Sequence, residues 1–410
     1  MAPPHFARNL SAVLLWEALW GFGHASTTSA IFNPFLSQLA GSKRLVGTVG
    51  LTLLLGIPAL FVSLWLGHRL KRRKATVTVL WLLQFVGWIV LGAVLTTGAT
   101  PSSDVIVPVV YVTQSVIAFL AGVVMAPTYQ LLTNAFGDRF GTAQGLQLLF
   151  RQVAGVLGGL WAATALAKDA FPRNFGVTFL VGGIIMTVSN FSVLLFVEQE
   201  QTEEERKARA ARAHAFLPAL GETWGRAKPL AGFFWVIAAV SWSVSAQGLL
   251  VVSALERLKL GDAYAGVFAS VTLAASGIGG AVWGRTGDRV GHAKALTAAL
   301  AVQAIAFVMV LGLGGIAQFY ASLVLAGVAN AAMQVGLAGM TTRLAPKGDQ
   351  GAFMAIMRWI FQIVMAVATA ATAFLADRAG YTVMFGSCLL PVAAAMVFVQ
   401  RMRARAEQPV

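Results

Sequence analysis

Lys71-Arg72-Arg73-Lys74 is followed by ATVTVLWLLQFVGWIVLGAVLTT, residues 75–97, a stretch without one charged side chain. An α-helix crosses the roughly 30 Å of bilayer hydrocarbon with about 20 apolar residues, so this stretch predicts a membrane span. Bases beside a span fit the anionic cytoplasmic face of a bilayer. Outward from here, the same test selects blocks near 10–36, 44–67, 105–133, 142–167 and 175–197. Beyond a polar interval it selects 229–255, 263–284, 293–316, 317–342, 352–376 and 380–400, with a tight joint at Gly314-Gly315. The expected fold class is an all-α membrane protein with twelve transmembrane helices in two pseudo-symmetric six-helix bundles. Residues 1–197 form the first bundle, 198–228 a cytoplasmic linker loop and 229–410 the second bundle.

Composition agrees. Of 410 residues, 58% are hydrophobic and 11% charged, against about 25% charged in soluble domains. The net charge of +14 does not indicate nucleic acid, because the bases sit in short clusters between apolar runs and no recognised binding motif accompanies them. The single cysteine, Cys388, excludes an intrachain disulfide and a thiolate metal cage. The block from Leu10 runs too long for a signal peptide and contains Glu17 and His24, so it reads as a retained span.

Charge sets the orientation. The terminal segments and even-numbered loops hold 21 Lys and Arg, the opposite loops 7. Both termini are therefore expected in the cytoplasm. The linker begins acidic and turns basic, in good helix formers, which suits a surface helix or tether. Its docking to a partner is the other reading.

The halves echo each other. Gly67-His68-Arg69-Leu70-Lys71-Arg72-Arg73-Lys74 ends the second span, and Gly284-Arg-Thr-Gly-Asp288-Arg289-Val-Gly291-His-Ala-Lys294 the eighth. Gly141-Thr-Ala-Gln-Gly opens the fifth span and Gly351-Ala-Phe-Met-Ala the eleventh. A six-span repeat is the footprint of a parallel-repeat transporter. The second loop closely resembles the signature of the major facilitator superfamily, G-x-x-x-D-R-x-G-R-R-R. That resemblance implies a secondary transporter, monomeric by default, with Asp288, Arg289, Gly284 and Gly291 at a cytoplasmic gate. The first copy, with His68 and Arg69, departs from the pattern: His68 replaces the acid and Lys71 the glycine. The first-half latch is then either absent or made pH-sensitive by His68. Ala154-Gly155-Val-Leu-Gly158-Gly159 resembles the glycine-rich fifth helix of family antiporters without its proline, and also suits close helix packing.

Three charges fall inside spans: Glu17, Arg151 and Arg358. Each costs about 2.5–3.5 kcal/mol at a helix centre on insertion scales, so such groups normally face a cavity or a partner. At 1.5 Å per residue all three lie roughly 9–13 Å into their spans. A carboxylate in low dielectric holds a proton more readily and can carry it. Glu17 is read either as a proton carrier or as the permanent partner of Arg151; a substrate that displaces Arg151 from Glu17 unites both. Arg358, without an evident acidic partner, points to a carboxylate or phosphate on the substrate, or else bonds helix carbonyls or cytoplasmic water. His24, seven residues after Glu17 on the same face, is either a proton relay or a hydrogen-bonded core histidine.

Other candidate substrate-binding residues are Gln362, Trp20, Trp242, Gln247, Asn330, Gln334 and Gln114, polar or aromatic positions on the spans that line the central path in the resembled family. The tryptophans suit an organic substrate, although Trp also favours membrane interfaces. The reading that results is a proton-coupled secondary transporter of a small organic solute, working by alternating access with no cofactor. An anionic substrate is one form of that reading. The alternatives are a drug or metabolite exporter that uses Glu17 as coupling acid, and a non-transporting sensor. The inventory argues against an enzyme: one Cys, scattered His, no paired buried acids and no Walker loop. The richness in Ala, Gly and Arg suits a bacterial inner membrane.

Overall fold

The structure is a computed structural model and describes residues 5–69, 73–97, 102–136, 140–197, 231–312, 315–344 and 350–406. The expected linker at 198–228 lies outside them. The described residues are helical, with no strand among them. The helices are α1 (Phe6–Ala25), α2 (Ser29–Ala40), α3 (Arg44–Gly50), α4 (Gly56–Arg69), α5 (Arg73–Thr96), α6 (Ser103–Phe136), α7 (Phe140–Leu166) and α8 (Arg173–Ser189). After the linker come α9 (Ala231–Gln247), α10 (Leu250–Leu258), α11 (Ala263–Val290), α12 (His292–Leu311), α13 (Ile316–Leu344), α14 (Gln350–Arg378) and α15 (Gly380–Ala406). Among the described residues, eleven stretches are long and apolar enough to cross a membrane. The remaining expected span is the first, where α1 is 20 residues long but carries Arg8, Asn9, Glu17 and His24.

The block at 10–36 is two helices, not one. Four hydroxyl residues, Ser26-Thr27-Thr28-Ser29, follow α1, and two of them donate back to its last turn: Thr27 Oγ1 to His24 O at 3.1 Å and Thr28 Oγ1 to Ala25 O at 3.2 Å. Such side-chain bonds compete with the helical ladder, and the chain turns before α2 begins. The seventh block is likewise split, at Gly248-Leu249 between α9 and α10. The second is interrupted by a 3-10 turn at Leu51–Leu55 between α3 and α4.

Two compact units form, Met1–Thr28 with Thr52–Leu217, and Ser29–Leu51 with Pro218–Val410. The packing boundary therefore differs from the boundary drawn on the sequence, because residues 29–51 belong to the second unit.

In the first unit α1 lies between α7 and α8, α5 packs on α6 and α8, and α4 packs on α6. The core holds Val13, Trp16, Val77, Leu131, Phe136 and Phe196. Two glycines set the crossing of α1 and α7. A Cβ on Gly21 would strike the backbone carbonyl of Arg151, and one on Gly158 that of Phe22, so the helices touch backbone to backbone as small residues allow. At the start of α1, Asn9 holds the end of the 3-10 turn after α8, accepting from Val197 N–H at 2.8 Å and donating to Val197 O at 3.2 Å. Leu15, Val79, Leu83, Val86, Val90, Leu157 and Leu160 point outward; an apolar exterior of this kind suits lipid as the solvent.

In the second unit α9 packs on α14 and α15, while α13 packs on α11 and α12. Its core includes Phe233, Ile237, Leu296, Leu300, Met333 and Val399. The hairpin of α2 and α3 docks on this body, α2 against α10 and α11, α3 against α14. Polar side chains clasp it there. Asn33 Nδ2 donates to Gly248 O at 2.7 Å, at the break between α9 and α10. Ser37 Oγ donates to Glu256 at 3.2 Å, and Lys43 pairs with the same carboxylate at 2.9 Å. Gln38 Nε2 donates to Asp262 at 2.6 Å. Asp377 receives Arg44 Nε at 2.7 Å, Ser42 Oγ at 3.1 Å and the Lys43 backbone N–H at 3.3 Å. Asp377 thus places an anion at the N-terminus of α3, where the helix dipole favours one.

Candidate functional site

The first unit holds a cavity of about 230 Å³ lined by Trp16, Glu17, Trp20, Trp81, Met125, Thr128, Leu132, Gln147 and Arg151. Helix α1 supplies Trp16, Glu17 and Trp20, whose spacings of one, three and four residues put them on neighbouring positions of one helical face. Helix α7 supplies Gln147 and Arg151 from successive turns, at the point where Gly21 lets the two backbones meet.

Glu17 and Arg151 form a bidentate pair. Arg151 Nε donates to Glu17 Oε2 at 2.7 Å and Nη2 to Oε1 at 2.8 Å. The fork geometry matches a carboxylate and makes this among the stronger pair types. The guanidinium lies 4.7 Å from the Trp20 ring centroid, a cation–π distance. Trp20 stacks in turn on His24, with centroids 4.2 Å apart and planes 19° from parallel. The partners differ in burial: the Glu17 side chain is 5% exposed and that of Arg151 39%. The acid sits deep and the base meets the open side.

The walls are fixed by their own bonds. Trp16 Nε1 donates to Asn190 Oδ1 at 3.1 Å, Trp81 Nε1 donates to Thr128 Oγ1 at 3.2 Å, and the two indoles meet edge to face at 5.7 Å. Two residues of the lining, Gln147 and Trp20, carry side-chain N–H groups, Nε2 and Nε1, that are buried without a hydrogen-bond partner. An unpaired buried donor costs about 1–3 kcal/mol.

The structure therefore brings together Glu17, Arg151, Trp20 and His24. Gln114 is not among the cavity-lining residues; its Nε2 is buried without a partner elsewhere in the unit. In the second unit Gln247 Nε2 donates to Gln303 Oε1 and, at 3.2 Å, to Ala326 O. Gln334 is exposed and donates to Asn330 on its own helix at 3.3 Å. Trp242 and Gln362 are half-buried on α9 and α14. Arg358 lies on α14, but its side chain is outside the described residues, as are those of Asp288, His68 and Arg69. Of the remaining gate residues, Arg289 is exposed, Gly284 is half-buried, and Gly291 joins α11 to α12 at φ 93°, a conformation that favours glycine.

Trp81, Thr128 and Asn190 were not expected at a site, whereas Trp16 is one of the tryptophans suited to wall an organic substrate. Gln147 carried a signal in sequence, four residues before Arg151 and so on its face. Trp81 and Thr128 lie on other helices and carried none.

Residues 233–409 match the family model of the Major Facilitator Superfamily. No curated protein sequence matches the chain. Several solved structures share its fold over nearly the whole length. A peptide transporter, POT, in complex with alafosfalin aligns with TM-score 0.69 at 16% identity, covering 98% of this chain and 96% of that one. The xylose transporter XylE from E. coli aligns with TM-score 0.70 at 12% identity, covering 99% and 98%. A bacterial homolog of the human lysosomal transporter Spinster aligns with TM-score 0.63 at 13% identity, covering 99% and 97%. At these identities the likeness is one of fold. Residues 233–409 thus resemble the Major Facilitator Superfamily in sequence, and the whole chain shares the fold of these solved transporters.

Proposed function

We propose that the chain is a secondary active transporter that moves a small organic solute across a membrane by alternating access, coupled to protons through Glu17. The observation that carries this reading is the bidentate Glu17–Arg151 pair beside an aromatic-walled cavity. A pair this good is a poor permanent resource inside a membrane, since burying two charges costs several kcal/mol per ion. It is well suited to exchange. A solute bearing an acidic group engages Arg151 from its exposed side, Glu17 loses its partner, and a proton on the orphaned carboxylate keeps the loaded site neutral. Solute and proton are then carried together. Trp20 holds the guanidinium in place as its partner changes.

The rest of the reading follows from charge and composition. Residues 1–28 with 52–197, and 29–51 with 229–410, act as the two moving bundles, both termini are cytoplasmic, and the membrane is a bacterial inner membrane. The working unit is a monomer. A second reading, proton-driven export of lipophilic solutes, is favoured by Trp16, Trp20 and Trp81 around one cavity; Glu17 serves there as the coupling acid of an antiporter.

The test is proton movement in proteoliposomes that entrap a pH-sensitive dye, challenged with organic acids and organic cations. Glu17→Gln should abolish solute-driven proton movement while ligand-induced thermal stabilisation survives. The sign of the proton movement separates symport from antiport. Equal proton movement in wild type and E17Q sinks the proposal.

A further inference from the structure

The charge and donor inventory of the first-unit cavity specifies more than a transport site. Among its nine lining residues only Glu17 and Arg151 are charged, and they cancel. Helix α5 contributes Trp81 and helix α6 contributes Met125, Thr128 and Leu132, none of them charged. His24, a further titratable group, stacks on Trp20 behind the wall. Both unpartnered buried atoms, Gln147 Nε2 and Trp20 Nε1, are donors, and Gln147 is 3% exposed. The site thus presents the part-exposed Arg151 guanidinium, while its strongest acceptor, the Glu17 carboxylate, is already engaged. It calls for a ligand rich in acceptors. The volume of about 230 Å³ suits a small ligand. Three indole rings make the wall flat and apolar.

We infer that this cavity takes a small organic monoanion, one acid group on a flat apolar body, together with one proton on Glu17, so that the loaded site is uncharged. The inference rests on the reading of Glu17 and Arg151 as the transport site. The balance is simple. Arg151 transfers its two hydrogen bonds from the Glu17 carboxylate to the ligand's acid oxygens, and one proton from water adds to a Glu17 oxygen. Arg151 and the ligand cancel, Glu17 is neutral, and net charge in low dielectric stays at zero. A dianion would leave the site at −1 even with Glu17 protonated. An organic cation would take Glu17 and strand Arg151, leaving +1. Transport of the monoanion with its proton is therefore electroneutral.

The experiment uses the full-length protein with four probes of one body: benzoate, benzenesulfonate, phthalate and benzylammonium. Benzenesulfonate stays ionised at working pH, so any proton taken up on binding goes to the protein. The expected result is binding of both monoanions, uptake of one proton per benzenesulfonate bound, and phthalate and benzylammonium weaker by about 30-fold or more. E17Q should bind benzenesulfonate without proton uptake; R151Q and R151K should lose about 30-fold or more in affinity. E17Q/R151Q removes both charges, and its thermal unfolding controls for misfolding of the single variants. In liposomes, benzenesulfonate uptake should follow an imposed pH gradient and ignore a membrane potential set with potassium and valinomycin. Absence of monoanion binding at millimolar concentration, binding without proton uptake, preference for phthalate or benzylammonium, or uptake driven by potential overturns the inference. In those outcomes the transporter reading stands as long as E17Q and R151Q still alter proton movement with some other solute. If both variants behave as wild type for every solute moved, the site itself is wrong.

Discussion

Asp377→Ala tests how the α2–α3 hairpin is held. Asp377 accepts from Ser42 Oγ, the Lys43 backbone N–H and Arg44 Nε at 3.1, 3.3 and 2.7 Å. The Arg44 side chain is 53% exposed, so the ion pair is worth about 0.2–1 kcal/mol. The Ser42 bond and the cap on α3 add about 1 kcal/mol each. The sum, about 2–3 kcal/mol, corresponds to roughly 30- to 140-fold in an opening equilibrium. Hydrogen exchange followed by mass spectrometry reads this locally: amides of residues 42–50 should exchange faster by that factor, while those of α7 keep their protection. Asp377→Asn retains an acceptor for Ser42 and Lys43 and should lose only about 1 kcal/mol. Unchanged exchange at 42–50 in D377A, or an equal loss of protection in α7, would refute the local clasp.

Three further outcomes follow from the packing. Glu17→Gln or Arg151→Gln alone should destabilise the first unit by about 2–4 kcal/mol, because each orphans a charge, and the double variant should recover most of that loss in thermal unfolding. Gly158→Val should block the approach of α1 to α7 and cost about 3 kcal/mol or more in stability, whereas Gly145→Ala, with open space around it, should be neutral or gain up to about 1 kcal/mol. Asn33→Ala removes the 2.7 Å bond to Gly248 O and should cost about 1 kcal/mol, seen as faster exchange at α2 and at the α9–α10 break.

The fold class was legible because the membrane makes local sequence decisive. Backbone groups in hydrocarbon must be satisfied within a helix, so apolar run length alone marked the spans, including the joint near Gly314-Gly315 that separates α12 from α13. The interrupted first span was less legible: Ser26-Thr27-Thr28-Ser29 offers a local signal, yet hydroxyl residues also occur inside helices, and only the bonds from Thr27 and Thr28 back to α1 distinguish the two cases. Glu17, Arg151 and Trp20 stood out as costly or aromatic side chains on otherwise apolar helices. Gln147 was visible as a neighbour of Arg151 but had no cost that singled it out.

Run length, charge placement and the cost of ions in oil are properties of single segments, so the amino-acid sequence by itself determined that the chain is a bundle of membrane helices and that Glu17 and Arg151 need an explanation. Which groups meet is a property of long-range packing. That Glu17 clasps Arg151 in both hydrogen bonds, that Trp81 and Thr128 from separate helices wall their cavity, and that residues 29–51 pack with the second unit were decided only by the tertiary structure. The physical reason is that contacts 134 residues apart depend on how glycines such as Gly21 and Gly158 let whole helices approach, and no local pattern encodes that distance.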